Sequence, residues 1–213
     1  MDSFCPQAST RRNSAQNVRQ TCRPWGDHTA VVAANRSPAS SSQHLCETCL
    51  QRPPAFSIVH AACSYQERIK DAIHQLKYRN QVNLAEPLGK PLGKSLEVAE
   101  VGFKPDCIIP VPLHPGRLKK RGYNQALEIS RPLARKMRVP IDTTLLQRTL
   151  TTLPQQGLTA AERRSNLRNA FIVTTTPSAR NILLVDDVMT TGETVRECCR
   201  VLMKTILLKF RLP

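Results

Sequence analysis

The sequence predicts an α/β fold, with a mostly parallel sheet covered by helices on both faces. Three observations predict it. Two short runs, Cys107–Pro112 and Ile182–Val185, have no polar face, as strands buried on both sides do. Around them lie segments with apolar residues at i, i+3, i+4 and i+7, the period of an amphipathic helix. Strands and helices also alternate along the chain, which calls for crossover connections and parallel neighbours.

Taken in order, residues 1–44 are rich in Ser, Asn, Gln, Thr and Arg and hold no sustained period of 3.6 or 2. The stretch Ser-Pro-Ala-Ser-Ser-Ser at 37–42 reads as a flexible linker, so this region is expected to have low order. The chain divides into an N-terminal segment, 1–54, and an α/β domain, 55–213. A helix is expected from Tyr65, because Ile69, Ala72, Ile73 and Leu76 share one face while Lys70, Asp71 and Lys77 lie opposite. A second helix covers about Asn83–Ala99, interrupted at Pro87 and Pro91. The strand Cys107–Pro112 follows, then a helix over Asn124–Met137. Leu145–Leu150 and Phe171–Val173 read as short strands, flanking a polar loop at Thr151–Asn169 that holds a short helix. The strand Asn181–Val185 leads into a helix over Glu193–Met203, and Ile206–Phe210 is expected to form a short edge strand.

At 213 residues the chain is long enough to bury a real core. No stretch approaches the ~18 consecutive apolar residues of a membrane span, and no apolar leader is visible, so a cytoplasmic location is expected. Basic residues outnumber acidic ones by 31 to 16, a net charge of +15. Residues 1–54 hold 6 basic and 3 acidic side chains, which leaves +12 for 55–213. Such a surface attracts polyanions, nucleic acid and nucleotides among them. The eight cysteines are unevenly spread and do not form the even framework of a secreted mini-domain. Cys107, Cys198 and Cys199 fall within apolar-periodic segments and read as core thiols.

The chemistry concentrates in Asn181–Met203. A four-residue apolar strand ends in two acids, Asp186 and Asp187, followed by Thr190, Thr191, Gly192 and Thr194 and then a helix. Ligands of open α/β sheets bind beyond the carboxyl ends of strands. Small hydroxyl residues and a glycine at a helix N-terminus let backbone N–H groups approach a phosphate. Two carboxylates just before them can accept hydrogen bonds from a sugar diol. A solvated Asp-Asp turn with a Thr cap would explain part of this pattern, but not the buried strand, the acid pair and the Thr-Thr-Gly-x-Thr loop together. Pro112–Arg121 leaves the other strand and carries Arg117, Lys119, Lys120 and Arg121, whose guanidinium forks match phosphate oxygens.

The segment ILLVDDVMTTGET, Ile182–Thr194, resembles the phosphoribosyl pyrophosphate (PRPP) signature of type I phosphoribosyltransferases. Three further blocks, Lys70–Asn80, Asp106–Ala126 and Gln155–Phe171, resemble the ComF/GntX family, so the likeness covers roughly Leu45–Met203. The resemblance implies a type I phosphoribosyltransferase-like sheet. It implies that Asp186 and Asp187 contact the ribose hydroxyls and that Thr190, Thr191, Gly192, Glu193 and Thr194 surround the 5′-phosphate. It places a pyrophosphate loop near Arg121, Tyr123 and Asn124, and makes Gln155–Asn166 a mobile catalytic loop with Arg163 its first functional candidate. PRPP reacts by losing pyrophosphate from C1 of ribose, usually with Mg²⁺, so catalysis would rest on positioning and on neutralising the leaving group.

The family usually opens with a zinc ribbon of two C-x-x-C knuckles. Here one survives, Cys46 and Cys49; Cys5, Cys22, His28 and His44 stand at irregular spacings from it, and a structural zinc needs four ligands. Zinc is therefore weakly supported. The role implied is DNA uptake in natural competence, with single-stranded DNA and competence or helicase proteins as partners. Two other readings share these residues. One is a true nucleotide-metabolism phosphoribosyltransferase, which needs a hood element the sequence does not reveal. The other is a DNA-binding protein that uses the fold only to sense PRPP, whose affinity would fall steeply with salt.

Overall fold

In the computed structural model, β6 (Ile182–Asp186) is the strand on which the architecture turns. Residues 28–34, 50–56, 58–65, 67–99, 105–150, 160–176, 179 and 181–209 are described. Along the chain the elements are β1 (His28–Ala34), β2 (Ile58–Ser64), α1 (Glu67–Tyr78), a 3-10 turn at Val82–Leu84, α2 (Ala85–Ala99) and β3 (Cys107–Pro110). Then come α3 (Pro115–Arg121), α4 (Gln125–Met137), β4 (Leu146–Arg148), α5 (Ala160–Leu167), β5 (Phe171–Val173), β6, and α6 (Glu193–Lys209).

The main sheet runs in the order β2-β1-β6-β3, and β4 pairs with β5 in a separate antiparallel ribbon. β3 and β6 are parallel, with Ile108 opposite Leu183 and Pro110 opposite Val185. Because strand side chains alternate, β6 feeds two cores. Ile182 and Leu184 join Cys107 and Ile109 under Val195, Cys198, Cys199 and Leu202 of α6. Leu183 and Val185 join Ile108 under Ile73 and Leu76 of α1, Leu88 and Leu92 of α2, and Ile129 and Leu133 of α4. Helices thus cover both faces, as the apolar runs predict. Cys107, Cys198 and Cys199 are buried thiols, and burial pushes Cys199 up to about 12.

Four expectations are corrected. The sheet is mixed rather than mostly parallel, because β1 is antiparallel to both β2 and β6. β1 itself falls in a region given no strand from its composition; its Val31-Val32 pair, flanked by alanines, has the β-branched character a central strand favours. α2 is continuous: Pro87 lies in the first turn, where an N–H has no intrahelical acceptor to lose, and Pro91 is held within a helix whose Leu88, Leu92 and Leu96 are all buried. Finally, α6 runs to Lys209 in place of an edge strand at 206–210. No Gly or Pro interrupts 193–209, and Ile206 stays on the face begun by Cys199 and Leu202, packed on the same core.

α2 and α4 approach closely at Gly89, where a Cβ would lie 2.7 Å from Cγ of Pro132 and 2.9 Å from the Ile129 carbonyl oxygen. This contact joins α2 to α4 in the helix layer that covers one face of the sheet. No described helix is long and apolar enough to cross a membrane.

Candidate functional site

The parallel pairing of β3 and β6 brings the two segments leaving their carboxyl ends side by side. Asp186 ends β6, and the Asp187 N–H donates to its Oδ1 at 2.9 Å. Asp187 is buried, and its Oδ2 lies 2.5 Å from Nζ of Lys77, which reaches across from the last turn of α1. Burial, the neighbouring Asp187 charge and a hydrogen bond between the two carboxyls push Asp186 well above the usual carboxylate range; Lys77 opposes the rise. Asp186 keeps part of its surface open to the cleft, which moderates that shift. Lys77, held by Asp187 and Asp186, is itself raised despite its burial.

The loop beyond the acids turns into α6. Gly192 has φ 74°, a left-handed conformation, and a Cβ there would lie 2.6 Å from Cε of Met189. Thr190 and Thr194 face the cleft formed with the acids. Thr191 stands between Thr190 and Gly192 in this turn. Glu193 opens α6 but is buried away from the cleft, 3.9 Å from Arg52.

Across the cleft, the segment after β3 is a short helix rather than a loop. His114 caps α3, its Nδ1 accepting from the Gly116 N–H at 3.1 Å, and Gly122 ends it at φ 82°. Arg117 and Arg121 of α3 line the cleft. Arg121 donates to Oε1 of Gln125 at 2.6 Å and lies over the Tyr78 ring at 5.4 Å. Asn124 caps α4: its Oδ1 accepts from the Ala126 N–H at 3.0 Å, and its Nδ2 donates to the Val111 carbonyl at 2.9 Å. It lines the cleft while joining α4 to β3. The Tyr123 hydroxyl donates to the Leu76 carbonyl and acts as a strut between α1 and the α3–α4 corner.

Sequence reasoning missed three cations here. Lys70 and Lys77 of α1 line the cleft, as does Arg148 of β4. Arg148 is 7% exposed, its guanidinium 5.4 Å from the Phe171 ring; burial and the charge of Arg117 lower its pKa. A signal for it was present, because β4 alternates buried, exposed, buried and so puts Arg148 on the same inward face as Leu146.

These groups enclose a cleft of ≈ 380 Å³, within the range of small-molecule sites. Of the residues singled out from sequence, it gathers Asp186, Asp187, Thr190, Thr194, Arg117, Arg121 and Asn124. Arg163 lies on α5, and its side chain is outside the described residues. The loop 151–159 and the cysteines Cys46 and Cys49 also lie outside them. Among the described residues no group of three His, Cys, Asp or Glu side chains could cage a metal.

The chain is 37% identical over 172 residues to the DNA utilization protein YhgH of Escherichia coli O157:H7, a match covering 78% of this chain and 75% of that one. It is 35% identical over 169 residues to competence protein F of Haemophilus influenzae, covering 76% of this chain and 73% of the relative. The Salmonella typhimurium DNA utilization protein YhgH is 32% identical over 170 residues, covering 78% and 75%. No family model and no solved structure matches the chain. With such identity sustained over three quarters of the relatives' length, the chain belongs to the ComF family.

Proposed function

We propose that the cleft binds PRPP and that the protein serves the uptake or use of DNA. The observation that carries the first part is the polarity of the cleft: Asp186, Asp187, Thr190 and Thr194 stand at the end of β6, while Arg117, Arg121 and Arg148 stand on the other elements that enclose it. A sugar phosphate with a pyrophosphate on C1 matches both halves. The acids accept the ribose hydroxyls, the loop before α6 receives the 5′-phosphate, and the arginines receive the pyrophosphate. Stabilising the departing pyrophosphate and excluding water would favour cleavage at C1, with Mg²⁺ adding charge neutralisation. The DNA role rests on the names of the relatives, competence protein F and DNA utilization protein, and accords with the net charge of +15.

Separate probes for the two halves test this reading. Ribose 5-phosphate and Mg²⁺-pyrophosphate should each bind weakly to the wild type, and PRPP much more tightly than either. Arg148→Met should weaken pyrophosphate by tenfold or more and leave ribose 5-phosphate nearly unchanged. Equal loss of both probes, or binding of neither, counts against the assignment.

A further inference from the structure

Tyr78 ends α1 with 61% of its surface exposed, beside the cleft-lining Lys77. Two neighbours hold its ring. His74, one turn earlier, lies 4.8 Å away between ring centroids, and the Arg121 guanidinium lies 5.4 Å from the ring. Arg121 also lines the cleft and is tied to Gln125 at 2.6 Å. The ring is therefore a held, open aromatic surface next to the cleft, not a core side chain.

Cations flank it. α3 carries Arg117, Lys119, Lys120 and Arg121 and no acid. Lys119 and Lys120 are exposed, and neither forms an ion pair with a described residue. On α1, Lys70 is exposed at the cleft, and an exposed Arg79 follows Tyr78. Asp71 is the one acid between Lys70 and Asn80. Cations in the last turn of α3 also complement its dipole, but that role calls for no exposed aromatic beside them.

A basic path with an aromatic platform suits a single nucleic-acid strand, because cations track the phosphates while a base stacks on the ring. We infer that the surface running from Tyr78 across Arg121 to Lys119 and Lys120 docks single-stranded DNA. A base stacks on Tyr78, Arg121 holds the ring in place, and Lys119 and Lys120 take backbone phosphates. A duplex keeps its bases stacked on each other, so the ring serves single strands. The inference rests on the DNA half of the proposed function and not on its PRPP half, and it gives the DNA a surface beside the cleft.

Fluorescence anisotropy of a labelled oligothymidylate, titrated with the full chain at several salt concentrations, tests it. Tyr78→Ala should weaken binding about tenfold with an unchanged salt slope, and Tyr78→Phe should bind like the wild type. If Tyr78→Ala does not fold, Tyr78→Gln should show the same loss. Lys119→Gln/Lys120→Gln should weaken binding by about tenfold or more at low salt and flatten the slope by roughly 1.4, the share of two phosphates. Arg135→Gln/Arg138→Gln removes the same charge from exposed positions at the other end of α4 from the cleft and should cost far less. The strand annealed to its complement should show no dependence on Tyr78. Equal losses from the two charge-removing pairs, or a folded Tyr78→Ala that binds as tightly as the wild type, overturn the surface and leave the DNA role standing. A wild type that binds no oligonucleotide overturns both, whether or not it binds PRPP.

Discussion

Asp186 is held where its own charge is disfavoured, by burial and by Asp187. Its folded pKa lies above the unfolded value of about 3.9, so between the two the native state binds more protons than the unfolded one. Stability contributed by this group is greatest below about pH 4 and falls as pH rises through the folded value. Asp186→Asn should therefore raise the thermal midpoint of the ligand-free protein at pH 7–8, with the gain vanishing near pH 4. Melting curves across that range check it; a variant equal to wild type at pH 8 would contradict the account. The same substitution should weaken PRPP. The acid pair was legible in the sequence because the buried strand, the acids and the hydroxyl loop are contiguous. Lys77 was not: it sits on the polar face of an amphipathic helix, and only the fold brings that face to Asp187. Arg148 lay within reach through strand alternation, but a three-residue strand carries little period to read.

At the scale of elements, helices with an unbroken 3.6 period came through best, as α1 and α4 show. Prolines misled in α2, because their effect depends on position within the helix rather than on their presence. The end of α6 was misread because ILLKF is as good a strand as a helix by local preference, and packing on the core decides. Close approach between elements is also invisible locally. Gly89→Ala would press a methyl group against Pro132 and the Ile129 carbonyl of α4, and should cost about 1–3 kcal/mol of stability in denaturant titration. No loss would mean the two helices part without penalty. Gly192→Ala combines a left-handed φ with contact to Met189 and should cost about 1–2 kcal/mol. On the PRPP reading it should also weaken a phosphate probe, since the turn before α6 must open.

For the whole molecule, the sheet is the frame that turns two distant segments into one site. β3 and β6 are parallel neighbours, so the acidic and basic segments leave the carboxyl ends of both strands on the same side of the sheet's strand direction and lie side by side. Both apolar runs were legible as buried strands, whereas their pairing and the antiparallel β1, lying between β2 and β6, are set by the fold. The net charge of +15 bears on DNA at this scale. If the surface binds single strands through phosphates, the logarithm of affinity should fall linearly with the logarithm of salt, with a slope of roughly −0.7 per phosphate contacted. A flat salt dependence would exclude that mode. The central claim is that the end of β6 holds PRPP. Calorimetric titration of PRPP with Mg²⁺ into the wild type and into an Asp186→Asn/Asp187→Asn double variant tests it most directly. The account predicts binding by the wild type that the folded double variant loses; a folded wild type that binds no PRPP, or a double variant that binds as well, would contradict it.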